Sequence, residues 1–162
     1  SSDSRTCPAA PAASSAAALS LNMKTNVEEL GVNEEVAAFT LPLGMTINMN
    51  GTAIMQVVAT IFIAASSGYI IRVSDVVIIA VLALIASVGT PSAPGSSMII
   101  LFSVLNGMGY NNEGVLIAYS MLLAINRPMD MLVTSLNVVG DAAAAVVVSK
   151  SEGCLDTELY NN

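Results

Sequence analysis

Charge is what this sequence most lacks. Only 10% of its 162 residues are Asp, Glu, Lys or Arg, where a soluble domain carries about 25%. Residues 36–71 hold no charge at all, and neither do the 37 residues 76–112. With 54% hydrophobic residues and a mean hydropathy of +0.73, too few charges remain to coat a soluble all-α core. About 20 apolar residues suffice to cross the hydrocarbon of a bilayer, so the chain reads as membrane-embedded. Basic residues are scarcest, five against twelve acidic. That excludes a nucleic-acid partner and leaves orientation from loop charge undetermined. There is no histidine, and the two cysteines, Cys7 and Cys154, stand far apart. This excludes a disulfide framework and a His/Cys transition-metal cluster. The N-terminus has no basic leader before a Leu-rich core, so no signal peptide is expected. It also lacks an initiator Met, and the chain reads as cut from something longer.

The acidic residues that are present gather towards the ends: Glu28, Glu29, Glu34 and Glu35, then Glu152, Asp156 and Glu158. Residues 8–21 are nearly all Ala, Ser and Pro, a low-complexity composition. Asn33 before Glu34 and Glu35 is a helix start, since it satisfies free N–H groups and the acids oppose the dipole. A helix is expected over 34–47 and another over 53–67, separated by the polar pentad "NMNGT" at 48–52. At 1.5 Å per residue each half is roughly 20 Å long, so neither crosses a bilayer alone and together they do. Backbone unwound at that depth must be buried in protein or line a cavity. Broken helices at the midplane build ion and substrate sites in many transporters, by freed carbonyls and helix termini. Glycine is expected to let this chain turn there, with Asn and Thr supplying oxygens.

The second apolar run is arranged differently. "DVVIIAVLALIAS" (75–87), the Gly/Pro/Ser-rich "VGTPSAPGSS" (88–97) and "MIILFSVLNGMG" (98–109) form two arms too short to cross. They read as a re-entrant hairpin with a polar tip, the alternative being two short core helices. The third segment, 115–149, carries Asp130 and Asp141. An aspartate at such depth costs about 2.5–3.5 kcal/mol on insertion scales, so it is expected to face a cavity or an ion. Asp130, Thr134, Asn137 and Asp141 are spaced 4, 3 and 4, which puts all four on one helical face. Leu132, Leu136 and Val139 then meet lipid or packing partners.

Three stretches carry a family resemblance: "FTLPLGMTINMNGTA", "GTPSAPGSS" and "DMLVTSLNVVGDAAAAVVVSKSEG". In that order they resemble the broken seventh helix with its "NMDGT", the glycine-rich tip of hairpin 2, and the "D-M-x-R-T-x-x-N-V-x-G-D" of the eighth helix in the sodium-coupled glutamate, dicarboxylate and neutral amino acid symporters. "SSAAALSLNMK" (14–24) resembles the end of the serine-rich hairpin 1. The resemblance covers about residues 12–153. It implies an all-α membrane protein with a discontinuous transmembrane helix, a re-entrant helical hairpin and a long terminal transmembrane helix. The parts would be a remnant of hairpin 1 (1–24), a connecting helix and broken helix 7 (25–69), hairpin 2 (75–109), helix 8 (114–150) and a polar tail (151–162). The resemblance implies that the chain would be the C-terminal half of a transport domain. The resemblance further implies a multi-pass cell-membrane protein, a transporter and not an enzyme, homotrimeric in full-length form, whose partners are an amino acid and the lipid bilayer.

It also assigns roles. The substrate pocket would include Ser14 and Ser15 from hairpin 1, Thr52, Ala93 and Ser97 from hairpin 2, and Asp130, Val133, Thr134 and Asn137. Asp130 would take the substrate ammonium. One Na+ would use carbonyls at Gly44, Asn48 and Asn137 with the Asp141 carboxylate. A second would lie between Thr46 and Met49 and the hairpin residues Ser87, Val88 and Thr90. A third would use the Asn48 and Asn50 side chains. Oxygen-rich, partly backbone ligation suits a hard alkali cation.

Three departures bear on function. Asn50 stands where the family has aspartate, which weakens the third cation site or changes only stoichiometry. Val133 stands where acidic-substrate members carry an arginine that forks onto the side-chain carboxylate. An unpaired carboxylate there would be expensive, so a neutral amino acid is favoured. Arg127 competes for that role, with pairing to Asp130 the expected arrangement. Hairpin 1 reads "ALSLN" at 18–22 where the family has "TLPVT". The alternative functions are a truncated, non-functional fragment of such a transporter and a passive pore-like membrane protein.

Overall fold

A computed structural model describes residues 15–88 and 95–161. All regular structure among them is helical: α1 (Ser15–Glu28), α2 (Glu34–Ile47), α3 (Asn50–Ser66), α4 (Val73–Val88), α5 (Ser96–Gly107), α6 (Glu113–Ala124), α7 (Asn126–Ser151) and the short α8 (Thr157–Tyr160). Asn33 starts α2 as its sequence position requires, accepting from the N–H groups of Glu35 and Val36 at 2.9 and 3.4 Å. Glu34 and Glu35 occupy the first turn. The two-part element Glu34–Ser66 and the 26-residue α7 are long and apolar enough to cross a membrane, while α4, α5 and α6 are shorter apolar helices.

The interruption at the pentad spans only Asn48 and Met49, whose φ/ψ of −91°/80° and −112°/43° are not helical. The helix expected from 53 begins at Asn50, so Asn50, Gly51 and Thr52 form the first turn of α3. The segment expected as one helix over 114–150 is two, divided at Ile125 (φ −105°, ψ 12°). Pro128 favours the break: it has no N–H to give the Ala124 carbonyl, while in the first turn of α7 that missing N–H is one the helix would leave unpaired anyway. Ile125 N–H instead closes tight bonds to the Leu122 and Leu123 carbonyls.

Two apolar cores form. Ala59, Ile63, Ile79, Ala83, Leu101, Val104 and Val115 join α3, α4, α5 and α6. Val32, Ala37, Leu41 and Ala145 join α2 and α7, with Leu19 and Met23 of α1 packed on them. Outward faces are apolar too: Phe39 is 71% exposed, Ile85 68% and Leu132 66%. In water such surface would be a liability; against hydrocarbon it is ordinary.

The second core is closed by the chain folding back after α7. Asp156 N–H donates to the Gly31 carbonyl at 2.9 Å, and Asn33 N–H meets Ser149 Oγ at 3.3 Å. Gly31 has φ +67°, and a Cβ there would lie 2.5 Å from the Asp156 carbonyl oxygen. Left-handed backbone costs an L-residue about 1–2 kcal/mol before any clash. Gly31→Ala is therefore expected to lower the melting temperature of the purified protein by several degrees. At the opposite end Tyr69 and Tyr110 pack at 4.6 Å between ring centroids, and Asn112 Nδ2 donates to the Ser67 carbonyl at 3.0 Å. These contacts tie the α3–α4 connection to the α5–α6 connection. Burial, reinforced by the nearby Asp75 carboxylate, pushes the Tyr110 phenol above its ordinary value.

Candidate functional site

Between the two cores lies a polar layer. The 4-3-4 spacing on α7 does what helix geometry requires: Asp130, Thr134, Asn137 and Asp141 are all buried, at 2–5% exposure, while Leu136 and Val139 on the far side are more than half exposed. The layer meets the interruption between α2 and α3. Thr52 and Met49 are buried with it.

Asn137 is its centre. Its Oδ1 accepts from Gly51 N–H at 2.9 Å, and its Nδ2 donates to Thr52 Oγ1 at 3.0 Å. The first turn of α3 leaves N–H groups without intrahelical partners. Met49, the residue before that turn, makes no side-chain cap; the Gly51 N–H is shared between Asn137 of α7 and the neighbouring Asn50 Oδ1, at 2.8 Å. This explains why α3 starts early. Gly51 is helical and does not serve a turn. A Cβ there would lie 2.9 Å from Leu136 Cβ and from the Val133 carbonyl oxygen, so glycine is what lets α3 approach α7 closely.

One turn away, Asn48 Nδ2 donates to Asp141 Oδ1 at 2.8 Å and lies 3.4 Å from the Asn137 carbonyl oxygen. A Cβ on Gly44 would stand 2.6 Å from Asp141 Oδ1, so the backbone of α2 is laid against that carboxylate. The Gly44 carbonyl accepts Asn48 N–H at 2.7 Å, which leaves a lone pair free. A Cβ on Gly140 would meet Asn48 Nδ2 at 2.6 Å and Asn50 Nδ2 at 3.1 Å, which puts both asparagines over one face of α7. Gly44, Asn48, Asn137 and Asp141 are thus brought together, with Asn50 at the edge and exposed. No ion pair reaches Asp141 among the described residues; the bridge described there is the exposed Lys24–Glu28 pair at 3.8 Å.

Asp130 forms a separate knot. Ser97 Oγ donates to its Oδ1, Asn126 Nδ2 to its Oδ2 at 2.8 Å, and Gly95 N–H to the same oxygen at 3.2 Å. The first turn of α5 is in this way fastened to α7. Arg127, expected to pair with Asp130, is exposed and makes no such bridge; neutral donors hold the carboxylate instead. Val133 is buried and lines an apolar groove of about 300 Å³ with Gly51, Met55 and Leu136.

The set drawn from α2 and α4 is not joined by hydrogen bonds among the described residues. Thr46 is exposed and its hydroxyl turns back to the Leu43 carbonyl at 2.7 Å. Ser87 is buried and its hydroxyl bonds the Leu84 carbonyl at 2.9 Å, while Val88 is 49% exposed. Ser14, Thr90 and Ala93 lie outside the described residues, and Ser15 is described only as the helical first residue of α1. Two members went unseen in the sequence. Asn126 is four residues before Asp130, a spacing that could have found it. Gln56, whose Nε2 donates to the Ser97 carbonyl at 2.7 Å, had only its polarity in an apolar helix as a signal.

The chain is similar in sequence to known proteins. A family model described as the sodium:dicarboxylate symporter family matches residues 6–151. Human excitatory amino acid transporter 2 is 39% identical over 148 residues, 90% of this chain and 25% of that protein. An excitatory amino acid transporter of Caenorhabditis elegans is 38% identical over 136 residues, 84% of this chain and 26% of that protein. Mouse excitatory amino acid transporter 4 is 33% identical over 135 residues, 83% of this chain and 23% of that protein. The chain spans about a quarter of the length of these relatives. With most of its length matched by the family model, the chain belongs to the sodium:dicarboxylate symporter family.

Proposed function

We propose that this chain is part of the transport domain of a sodium-coupled amino acid symporter. The observation that carries the reading is the buried Asp141 carboxylate, 2% exposed and without a cationic partner among the described residues, set against the interrupted backbone between α2 and α3. A buried anion is stable only when paired or strongly hydrogen-bonded. One 2.8 Å bond from Asn48 is a weak answer, and a Na+ among the Asp141 carboxylate and the Gly44, Asn48 and Asn137 carbonyls is a strong one. Asn137 links that cation to the substrate side, since its side chain holds Thr52 and Gly51 while its carbonyl faces Asn48. Asp130 would receive the substrate ammonium once Ser97 lets go, with Thr52 and Thr134 beside it.

Transport would follow an elevator scheme. Cation binding sets the hairpin of α4 and α5, substrate follows, hairpin closure over it permits movement across the membrane, and coupling is the difference in sodium affinity between the two states. The intact protein would be a homotrimer in the cell membrane. The relatives are named for excitatory amino acids. Val133, an apolar side chain next to Thr134, favours a neutral amino acid here, since an unpaired carboxylate beside it would be expensive. The test is binding of a panel of amino acids to the intact protein with sodium and with choline in its place. Binding of at least one amino acid that requires sodium is expected. Equal binding in both salts would exclude coupling, and ion current with no uptake would favour a passive pore.

A further inference from the structure

Two fully buried oxygens on α3 have no hydrogen-bond partner: Gln56 Oε1 and Thr60 Oγ1. They stand four residues apart and therefore on one face, a turn from each other. The carboxamide of Gln56 has a fixed orientation. Its Nε2 lies 2.7 Å from the Ser97 carbonyl, and a flip would set two acceptors against each other. Its Oε1 must then look for a donor elsewhere. Thr60 has a donor to give. Other hydroxyls in these helices turn back onto the carbonyl four residues earlier, as Thr40, Ser103, Ser120 and Ser135 do at 2.7–2.9 Å. Thr60 does not, although the Gln56 carbonyl is in the equivalent place, so its hydroxyl is turned away from its own helix.

We infer that an internal water bridges these two groups, accepting from Thr60 Oγ–H and donating to Gln56 Oε1. Both orphans are satisfied by one molecule. Leaving each bare costs about 1–3 kcal/mol, and holding a water costs about 0–2 kcal/mol. A cation fits less well. The two oxygens are neutral, and Ala59 and Ile63 beside them belong to the apolar core, where an unpaired charge is strongly disfavoured. The water acts as a positioning group. It fixes the Gln56 amide, which holds the Ser97 carbonyl, and the Ser97 hydroxyl holds Asp130. A polar line thus runs Thr60, water, Gln56, Ser97, Asp130, and braces the first turn of α5 against α3 and α7.

The inference is independent of the transport reading and is tested without sodium or substrate. The sign of a substitution decides it. Around a bound water, Thr60→Val strands both the water and Gln56 Oε1, and the melting temperature of the intact protein is expected to fall by about 2–6 °C, with Thr60→Ser restoring it. Around a dry site, Thr60→Val removes an orphan hydroxyl at constant shape, so a raised or unchanged melting temperature overturns the proposal. Should Thr60→Val not fold, a density map of the native protein that resolves ordered water decides. A peak within hydrogen-bond distance of both Gln56 Oε1 and Thr60 Oγ1 upholds the bridge, and its absence overturns it.

Discussion

Replacing Asp141 by asparagine is expected to abolish sodium-dependent uptake by the intact protein while leaving it folded. The reasoning begins with what asparagine keeps. It has the same shape, and its Oδ1 can still accept from Asn48 Nδ2, which now lies 2.8 Å from the carboxylate. What it loses is the charge. A Na+ surrounded by neutral carbonyls and one carboxylate would forfeit about 3 kcal/mol or more with that charge, roughly a hundredfold in affinity. The free protein should respond in the opposite direction. A buried carboxylate without a cation is a burden, so in sodium-free buffer Asp141→Asn should melt at the same temperature as the native protein or higher. Sodium added to the native protein should raise the melting temperature, since a ligand at a hundred times its Kd contributes about 2.7 kcal/mol. Added to Asp141→Asn it should do almost nothing. Persistence of the sodium-induced rise in the variant would remove the cation from this site, even if uptake were impaired for some other reason.

The contrast between what could and could not be read in advance follows the range of the forces involved. The inward face of α7 was legible because it depends on helix geometry alone: 4-3-4 spacing selects one side of any helix, and burial of Asp130 through Asp141 follows once lipid surrounds the rest. The interruption at 48–52 was legible as a location and not as a length. Local propensity marks four of the five residues as poor helix formers, whereas Asn137, far away in sequence, helps cap Gly51 and recovers Asn50, Gly51 and Thr52 for α3. The same distant contact gave Gly51 a role opposite to the one its sequence implied, close packing in place of a turn. The division at Ile125 was readable from Pro128 and yielded to the strength of the apolar pattern on either side. Arg127 and Asp130 differ by three positions, a spacing that permits a pair without requiring one. Neutral partners from α5 and from Asn126 reached the carboxylate instead, and nothing local announces them.

Val133→Arg is expected to move substrate preference towards acidic amino acids, and the expected size comes from where this residue sits beside the polar layer. Val133 is 7% exposed and stands next to Thr134 on the flank of the polar layer, where it offers only an apolar wall, with the first turn of α3 laid against its backbone at Gly51. The carboxylate of an acidic side chain brought against that wall would shed its water and find no donor, a penalty of about 1–3 kcal/mol and more for a charge. Arg127 does not relieve it, being exposed on the first turn of α7. A guanidinium at 133 would offer two parallel N–H donors matched to a carboxylate, so the ratio of acidic to neutral amino acid affinity should rise about 10- to 100-fold. Neutral substrates should weaken, because an unpaired arginine then remains beside them. Competition of unlabelled amino acids against sodium-dependent uptake measures the ratio directly. The sodium-induced rise in melting temperature serves as the control that the polar layer is intact. If that rise is preserved and the ratio stays where it was, position 133 does not face the substrate side chain, and specificity must reside in the hairpin or in parts of the protein beyond this chain.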